Sequence, residues 1–331
     1  LEVALTRLLS VMTWYSLAFF AISTAMIGMT AGAVWVYLRP AAFTRERIER
    51  ALSRYSLGLG LFIPVMLVML CQLALTIDGG LMTVFSLLTA TLFITGSFFF
   101  SGVVITAVLT RSGLPIGRIY ACDLAGAASG CLLCLAGLQM VNTPSFILLC
   151  GAVSAGAAFL LGIRTAGREK WFSAGAAVLV FLLSCWNLSP NAIRPLLSKG
   201  VFLPPTKVFM EEWNSISRVT IRRPGKGAAF YWEKSSAAPP VQREQVAMAI
   251  DGLAGTHLIG WDDRQDLAFL EYDLVNTAYA IRDSGGACII GVGAGRDVLS
   301  ALWFGHDRIV GVEVNSIFIR LLREDFRALC P

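Results

Sequence analysis

The first half of the chain is written in long apolar runs and the second half in short ones. Runs at about 13–38, 55–77, 81–109, 119–140, 145–163 and 171–188 each approach or exceed the ~20 residues that an α-helix needs to cross a bilayer. Six membrane spans are predicted over residues 1–188, more than a cleaved leader segment explains. Residues 189–206 then hold four prolines and no period, which predicts an extended tether. From 207 to 260 the runs are short. Strands are expected at 208–210 and 217–222 with EEWNS between them, a turn at 225–227, a further strand candidate at 228–233, a loop at 235–240, and a strand at 247–251 that turns at Gly252. This is a small β-rich module. Residues 267–282 follow with Leu270, Leu274, Thr277/Ala278 and Ile281 at helical spacing, predicting one amphipathic helix.

Residues 287–315 (ACIIGVGAGRDVLSALWFGHDRIVGVEVN) carry the chemistry. They read as a buried strand at 287–291, a glycine turn, a helix at 297–304 and a second strand at 309–314 with Glu313 at its end. Such a βαβ unit begins a Rossmann-like, methyltransferase-type sheet over 261–331. The expected fold is therefore a multi-spanning α-helical membrane domain followed by an α/β domain. Glycines are required where a chain turns sharply and a ligand approaches bare backbone, and an acid at the second strand's tip accepts hydrogen bonds from ribose hydroxyls. The spacing is G-x-G-x-G, with Arg296 where a dinucleotide fingerprint has its third glycine. Asp297 at the helix start suits the dipole but repels a pyrophosphate. S-adenosylmethionine, which has an adenosine and no phosphate, fits this pattern better.

Composition and charge agree with the division. The 331 residues are 56% hydrophobic and 15% charged, against a soluble norm of roughly 25% charged. Residues 1–188 carry 11 Lys+Arg against 6 Asp+Glu, and residues 189–331 carry 16 of each. The surplus of +5 thus belongs to the membrane half and informs topology, not nucleic-acid binding. Loops 39–54, 111–118 and 164–170 are basic and read as cytoplasmic; turns 78–80 and 141–143 have no base and read as external. Full crossing of 171–188 would put the α/β domain outside, away from any S-adenosylmethionine. That segment is the shortest of the six, and a cytoplasmic domain on a bacterial inner-membrane protein is the favoured expectation.

Several polar residues have plain readings. Six of the eight cysteines fall in apolar helices, which excludes a disulfide framework, and Cys131/Cys134 read as helix packing. In 119–137 the small residues, with Gly126 and Gly130 as a GxxxG, predict close helix contact. Asp123, the acid within a span, is expected to pair with Arg118 or another base. His306 reads as solvated in a turn and His257 lies close to the IDG turn. Asp262, Asp263 and Asp266 read as a solvated loop, without a metal. Arg320, Arg323 and Arg327 read as an exposed helix face. The chain starts without Met and ends after two strands, so it is expected to be a piece of a longer protein.

With WNSISRV at 213–219, AIDG at 249–252, Tyr272–Leu274 and the glycine unit, the second half resembles the polyamine (spermidine) synthase family of S-adenosylmethionine-type transferases. LEVALTRLLS at 1–10 and GRIYACDLAGAASGCLL at 117–133 resemble multi-spanning bacterial proteins that fuse such a domain to transporter-like helices. The resemblance implies that Gly291, Gly293, Ala294 and Gly295 cradle the cosubstrate, S-adenosylmethionine or its decarboxylated form. Glu313 would hold the ribose, with Asn315 beside it. Asp251, Thr256, Tyr272 and Asp273 would lie on the substrate side. Three departures weaken aminopropyl transfer to a diamine: Ala294 replaces an acid that binds the substrates' amino end, Asn315 replaces a second acid, and Thr256 stands where a glutamine follows the IDG turn. The catalytic base, an acid at the tip of a fourth strand, is expected beyond Pro331, so no catalytic residue is assigned. The expected partners are the lipid bilayer and a small-molecule acceptor, amines included, without nucleic acid or metal. The expected function is a membrane-anchored transferase of aminopropyl or methyl groups. The alternative is a transporter-like bundle whose nucleotide-binding domain is a degenerate sensor or scaffold.

Overall fold

In the computed structural model, residues 1–73, 75, 80–163, 168–189, 192–282 and 284–329 are described. The predicted end of the second span at Ile77, most of the turn at 78–80, Arg164 of the third basic loop, and Cys330 lie outside the described residues. The chain divides into two compact units, Leu1–Pro205 with Trp213–Ser215, and Thr206–Glu212 with Ile216–Pro331.

The first unit is helical: α1 (Glu2–Met12), α2 (Ala18–Leu38), α3 (Ile48–Gln72), α4 (Leu81–Arg111), α5 (Ile116–Met140), α6 (Thr143–Gly162) and α7 (Glu169–Trp186). The six from α2 to α7 are long and apolar enough to cross a membrane. Helix α1 was not foreseen as an element; Leu5, Leu8, Leu9 and Met12 bury its apolar face in the bundle core. Without a hydrophobic drive between apolar helices, contact depends on how closely backbones can approach. Helices α2 and α4 meet through glycine. A Cβ on Gly28 would stand 2.4 Å from the Thr95 carbonyl oxygen, one on Gly32 2.5 Å from that of Phe99, and one on Gly102 2.5 Å from that of Met29. Helices α3 and α6 are joined by polar contacts. The Ser53 hydroxyl donates to the Ala158 carbonyl and that of Ser154 to the Ser56 carbonyl, both at 2.8 Å.

The expected contact at Gly126 and Gly130 is a correction. A Cβ on either would meet nothing within 4 Å, and this stretch of α5 is exposed. Small residues permit close approach but supply little attraction, and α5 packs instead through Cys134, Leu138 and Gly137, the last lying under the Phe146 ring. Asp123 forms no ion pair among the described residues, so its expected pairing with Arg118 is also corrected.

The proline-rich stretch after α7 is not a free tether. Its backbone groups find partners: β1 (Leu197–Ser198) and β2 (Val201–Phe202) form an antiparallel hairpin across Lys199 and Gly200, both with positive φ. The Leu196 N–H donates to the Cys71 carbonyl and that of Lys199 to the Met12 carbonyl, so the hairpin is fastened to the helical unit.

The strands that follow are β3 (Met210–Trp213), all but the last residue of which belongs to the second unit, and, wholly within it, β4 (Arg218–Ile221), β5 (Gly225–Ala228), β6 (Gln242–Ile250) and β7 (Ala254–Ile259). Strands β4 and β5 pair with successive stretches of β6, and β7 pairs with β6 as well, all antiparallel. The residues read as a connector, EEW, belong to β3. The stretch read as a turn, 225–227, is held as a strand by its pairing to Gln245–Arg243, and 229–233 is not a strand. The predicted amphipathic helix is a larger correction. Residues 264–281 form a 3-10 stretch (Arg264–Tyr272), a second one (Leu274–Asn276) and a short α8 (Thr277–Ile281). Leu267 and Leu270 are buried, but Leu274 and Ile281 are 61% and 82% exposed. The break falls at Asp273, whose backbone is extended.

The predicted βαβ unit is present within one or two residues: β8 (Gly286–Ile290), α9 (Arg296–Trp303) and β9 (Arg308–Val312), with the strands parallel. The chain continues into α10 (Ser316–Arg320). The sheet and this unit share one core, in which Val219, Val246 and Leu258 pack with Ala294, Phe318 and Leu321. The stretches 207–260 and 261–331 are therefore not independent bodies.

A test follows from the glycine contact. Gly32→Val drives a branched side chain into the Phe99 carbonyl and is expected to lower stability by about 1–3 kcal/mol, the ordinary cost of overpacking. Gly130→Val on the open face of α5 should change it by less than about 0.5 kcal/mol. Thermal unfolding of the full chain in detergent reads the difference, and equal losses would refute the α2–α4 contact.

Candidate functional site

The turn from β8 into α9 has Gly291, Gly293 and Gly295 at φ of +82°, +54° and +85°. L side chains rarely adopt that region, so glycine is what lets the chain reverse here. Gly291 donates its N–H to the Val312 carbonyl at 2.8 Å, extending the parallel ladder to the turn. Glu313 is the first residue after β9, and both its carboxylate oxygens are engaged. Oε2 accepts the Gly293 N–H and Oε1 the Asn315 N–H, each at 2.8 Å. The side chain is only half-buried, and each oxygen keeps a second lone pair. A Cβ on Gly291 would meet nothing within 4 Å. The turn thus combines open backbone with a fixed acceptor, which suits a diol such as ribose.

Around it, Thr256 on β7 lies 3.7 Å from where a Gly293 Cβ would be. Ala294 faces away into the core and is 2% exposed. Asn315 meets Glu313 through its backbone only. Its side chain caps α10, accepting the Ile317 N–H at 3.2 Å, and donates to the Ser217 hydroxyl at 2.9 Å. The fold brings Gly291, Gly293, Gly295, Glu313 and Thr256 together, and turns the side chains of Ala294 and Asn315 inward.

Asp251 and Gly252, both at positive φ, are the central pair of the turn between β6 and β7, a geometry favoured by Asp-Gly. The buried Asp251 carboxylate accepts the Arg218 N–H at 2.8 Å. It holds the turn against β4. Tyr272 is half-buried and gives its carbonyl to the Ser235 N–H.

The Asp273 side chain has no solvent exposure. Its carboxylate accepts the N–H groups of Trp232 at 2.8 Å and Glu233 at 3.0 Å, and pairs with the guanidinium of Arg296, itself 2% exposed. Burial pushes the Arg296 guanidinium below its ordinary value, opposed by the charges of Asp273 and Asp297. The sequence shows Arg296 only as a departure from glycine spacing; a charge at the first helical position behind a buried turn was the available signal for this pair.

His257 stacks on Phe230, with ring centres 4.0 Å apart and planes 17° apart. Burial first, then the charges of Arg222 and Arg296, push its pKa below the usual histidine value. His306 is not solvated as expected: its Nδ1 lies 3.1 Å from the Gly285 carbonyl and its ring edge meets Tyr279. The acidic loop is ordered. Asp266 accepts the N–H groups of Asp262 and Asp263, which hold its carboxyl below the usual range, and it pairs with Arg243 at 3.2 Å. Arg320 is not a free member of an exposed face, because it pairs with Glu212 and with Asp325.

Comparison with family models, with curated proteins and with solved structures found no match.

Two outcomes test the surroundings of the turn. Asp273→Ala strands a buried cation and is expected to cost about 3–5 kcal/mol in denaturant unfolding of the full chain, with partial recovery in Asp273→Leu/Arg296→Met. No recovery in the double variant would mean that Asp273 acts through its backbone acceptor role alone. For His257, the folded state favours the neutral ring. Its contribution is full above the unfolded value of about 6.5 and declines as pH falls through that value toward the lower folded pKa. Thermal midpoints of His257→Phe, which keeps the stacking, should fall less steeply with acid than those of the parent; parallel curves would remove His257 from the account.

Proposed function

We propose that the chain is a membrane-anchored transferase whose second unit binds an adenosyl cosubstrate, S-adenosylmethionine or its decarboxylated form, at the turn of Gly291, Gly293 and Gly295. One observation carries the reading: the Glu313 carboxylate is fixed at the tip of a parallel strand, beside bare glycine backbone, with lone pairs left for two ribose hydroxyls. Bound there, the cosubstrate supplies an electrophilic carbon next to a sulfonium; the protein's described part is to seat the adenosine. The acceptor is a small molecule, amines included. Ala294 points into the core and leaves no carboxylate in the loop to hold an amino end, which favours methyl over aminopropyl transfer. A second reading, a sensor or scaffold on a transporter-like bundle, draws on Asp251 and Asp273, whose carboxylates are both committed to buried hydrogen bonds.

Titration calorimetry of S-adenosylmethionine into the full chain in detergent is the test. Binding is expected, and Glu313→Ala should weaken it by about tenfold or more, the loss of hydrogen bonds to a charged group. Gly293→Val should abolish it. Absence of binding by both S-adenosylmethionine and its decarboxylated form, or binding indifferent to both changes, would sink the reading, and binding without release of S-adenosylhomocysteine from the first or methylthioadenosine from the second over a panel of amines would favour the sensor.

A further inference from the structure

The basic end of the helical unit holds a cavity that the adenosyl reading does not use. It has a volume of about 590 Å³ and is lined by Arg47, Arg50, Ala51, Arg54, Tyr55 and Phe100, among others. Arg47, the residue just before α3, and Arg50 and Arg54 in its first two turns are spaced to share one face. They are not equivalent. Arg54 pairs with Glu169 on α7 at 2.6 Å, whereas Arg47 and Arg50 form no ion pair with any described residue.

Beside the arginines the lining is aromatic and fixed, with Tyr55 from α3 and Phe100 from α4. The Tyr55 hydroxyl accepts the Trp35 indole N–H at 2.7 Å. The Tyr55 ring lies 5.9 Å from Phe43 and 6.3 Å from Phe100, centre to centre, and the Arg39 guanidinium covers the Trp35 ring at 4.6 Å. Two cations that close no ion pair with a described residue, Arg50 sensing Glu169 only at longer range, therefore share a cavity with aromatic side chains, at the end of a helix long and apolar enough to cross a membrane. Helix ends stand at headgroup depth, where aromatic residues anchor and basic pockets between helices take lipid phosphates.

We propose that this cavity is a binding site for an anionic phospholipid, with the phosphodiester between Arg47 and Arg50 and the glycerol and first acyl carbons against Tyr55 and Phe100. A free phosphate would satisfy the two arginines but not the aromatic wall. A zwitterionic lipid brings a cation of its own toward Arg54.

The full chain in a neutral detergent, titrated with phosphatidylglycerol, phosphatidylcholine or inorganic phosphate while its thermal midpoint is followed, tests the site. Phosphatidylglycerol is expected to raise the midpoint saturably, phosphatidylcholine and millimolar phosphate to leave it unchanged. Arg47→Gln/Arg50→Gln should raise the half-saturating phosphatidylglycerol by about tenfold or more, Arg47→Lys/Arg50→Lys should retain most of the effect, and Arg223→Gln should change nothing. An equal response to both lipids overturns the proposal on the parent chain alone, whatever the folding of the variants. So does a glutamine double variant that responds as the parent does, and a full response to inorganic phosphate would replace the lipid by the free anion.

Discussion

The Asp273 side chain sits in the second unit with no exposure to water, and a carboxylate in that position is tolerable only if its charge is matched and its lone pairs are filled. Both conditions are met, mostly by distant parts of the chain. The Trp232 and Glu233 N–H groups come from the stretch after β5, the Val275 N–H from its own segment, and the guanidinium from the first residue of α9. To collect them the backbone at 273 must be extended, and this ends the 3-10 stretch that begins at Arg264. The same residue fixes the start of α9. Since Arg296 follows Gly295 directly, the glycine turn is held from behind by a buried ion pair and in front by the Glu313 carboxylate on the Gly293 N–H. A turn clamped on both sides presents its backbone in one arrangement, which is what a site that recognises a rigid diol requires.

How much of this could be read from residues alone depends on whether local pattern or tertiary partners decided the outcome. The long runs of the first half needed no partner to be legible, because length and apolarity suffice for a spanning helix. The strand, glycine turn, helix and strand of 287–315 were equally plain, since a change of period from two to 3.6 is a local signal. Leu274 and Ile281 misled for the opposite reason. Their spacing matched a helical face, but Asp273 between Leu270 and Leu274 had partners 40 residues and more away in sequence terms at Glu233 and beyond, and those outweighed the pattern. Strand β5, with two glycines in four residues, looks like a turn until β6 pairs with it.

The two GxxxG patterns make the same point about membranes. Gly126 and Gly130 match the spacing as well as Gly28 and Gly32 do, yet a Cβ on the first pair meets open space and on the second pair meets backbone. Nothing within either motif distinguishes them. The difference lies in the facing helix: α4 offers Gly102 opposite Met29, so both surfaces are thin at one crossing. For the candidate site, the glycines and Glu313 were legible because each needs its own residue type, while the roles of Asp251 and Asn315 as structural acceptors were not, because a buried carboxylate or amide has the same letter as an exposed one.

Charge separates the two units in a way that bears on both proposals. In the second unit 14 bases face 16 acids, and much of that charge is consumed internally, Arg218 by Glu211, Arg243 by Asp266, Arg296 by Asp273 and Arg320 by Glu212. Glu313 stands apart from these pairs, since its carboxylate is met by backbone N–H groups and no described cation forms an ion pair with it. That leaves it a negative acceptor suited to neutral hydroxyls and to a nearby sulfonium, and poorly suited to a phosphate. In the first unit the balance is reversed. Between 39 and 54 five arginines face two glutamates, Glu169 closes its ion pair with Arg54 and reaches Arg50 only at longer range, and Arg47 and Arg50, with no ion pair to a described residue, are left facing the surroundings. On the proposed reading those surroundings are lipid phosphates, since α3 is long and apolar enough to cross a membrane, so the same arithmetic that argues against a phosphate at the glycine turn argues for one beside α3.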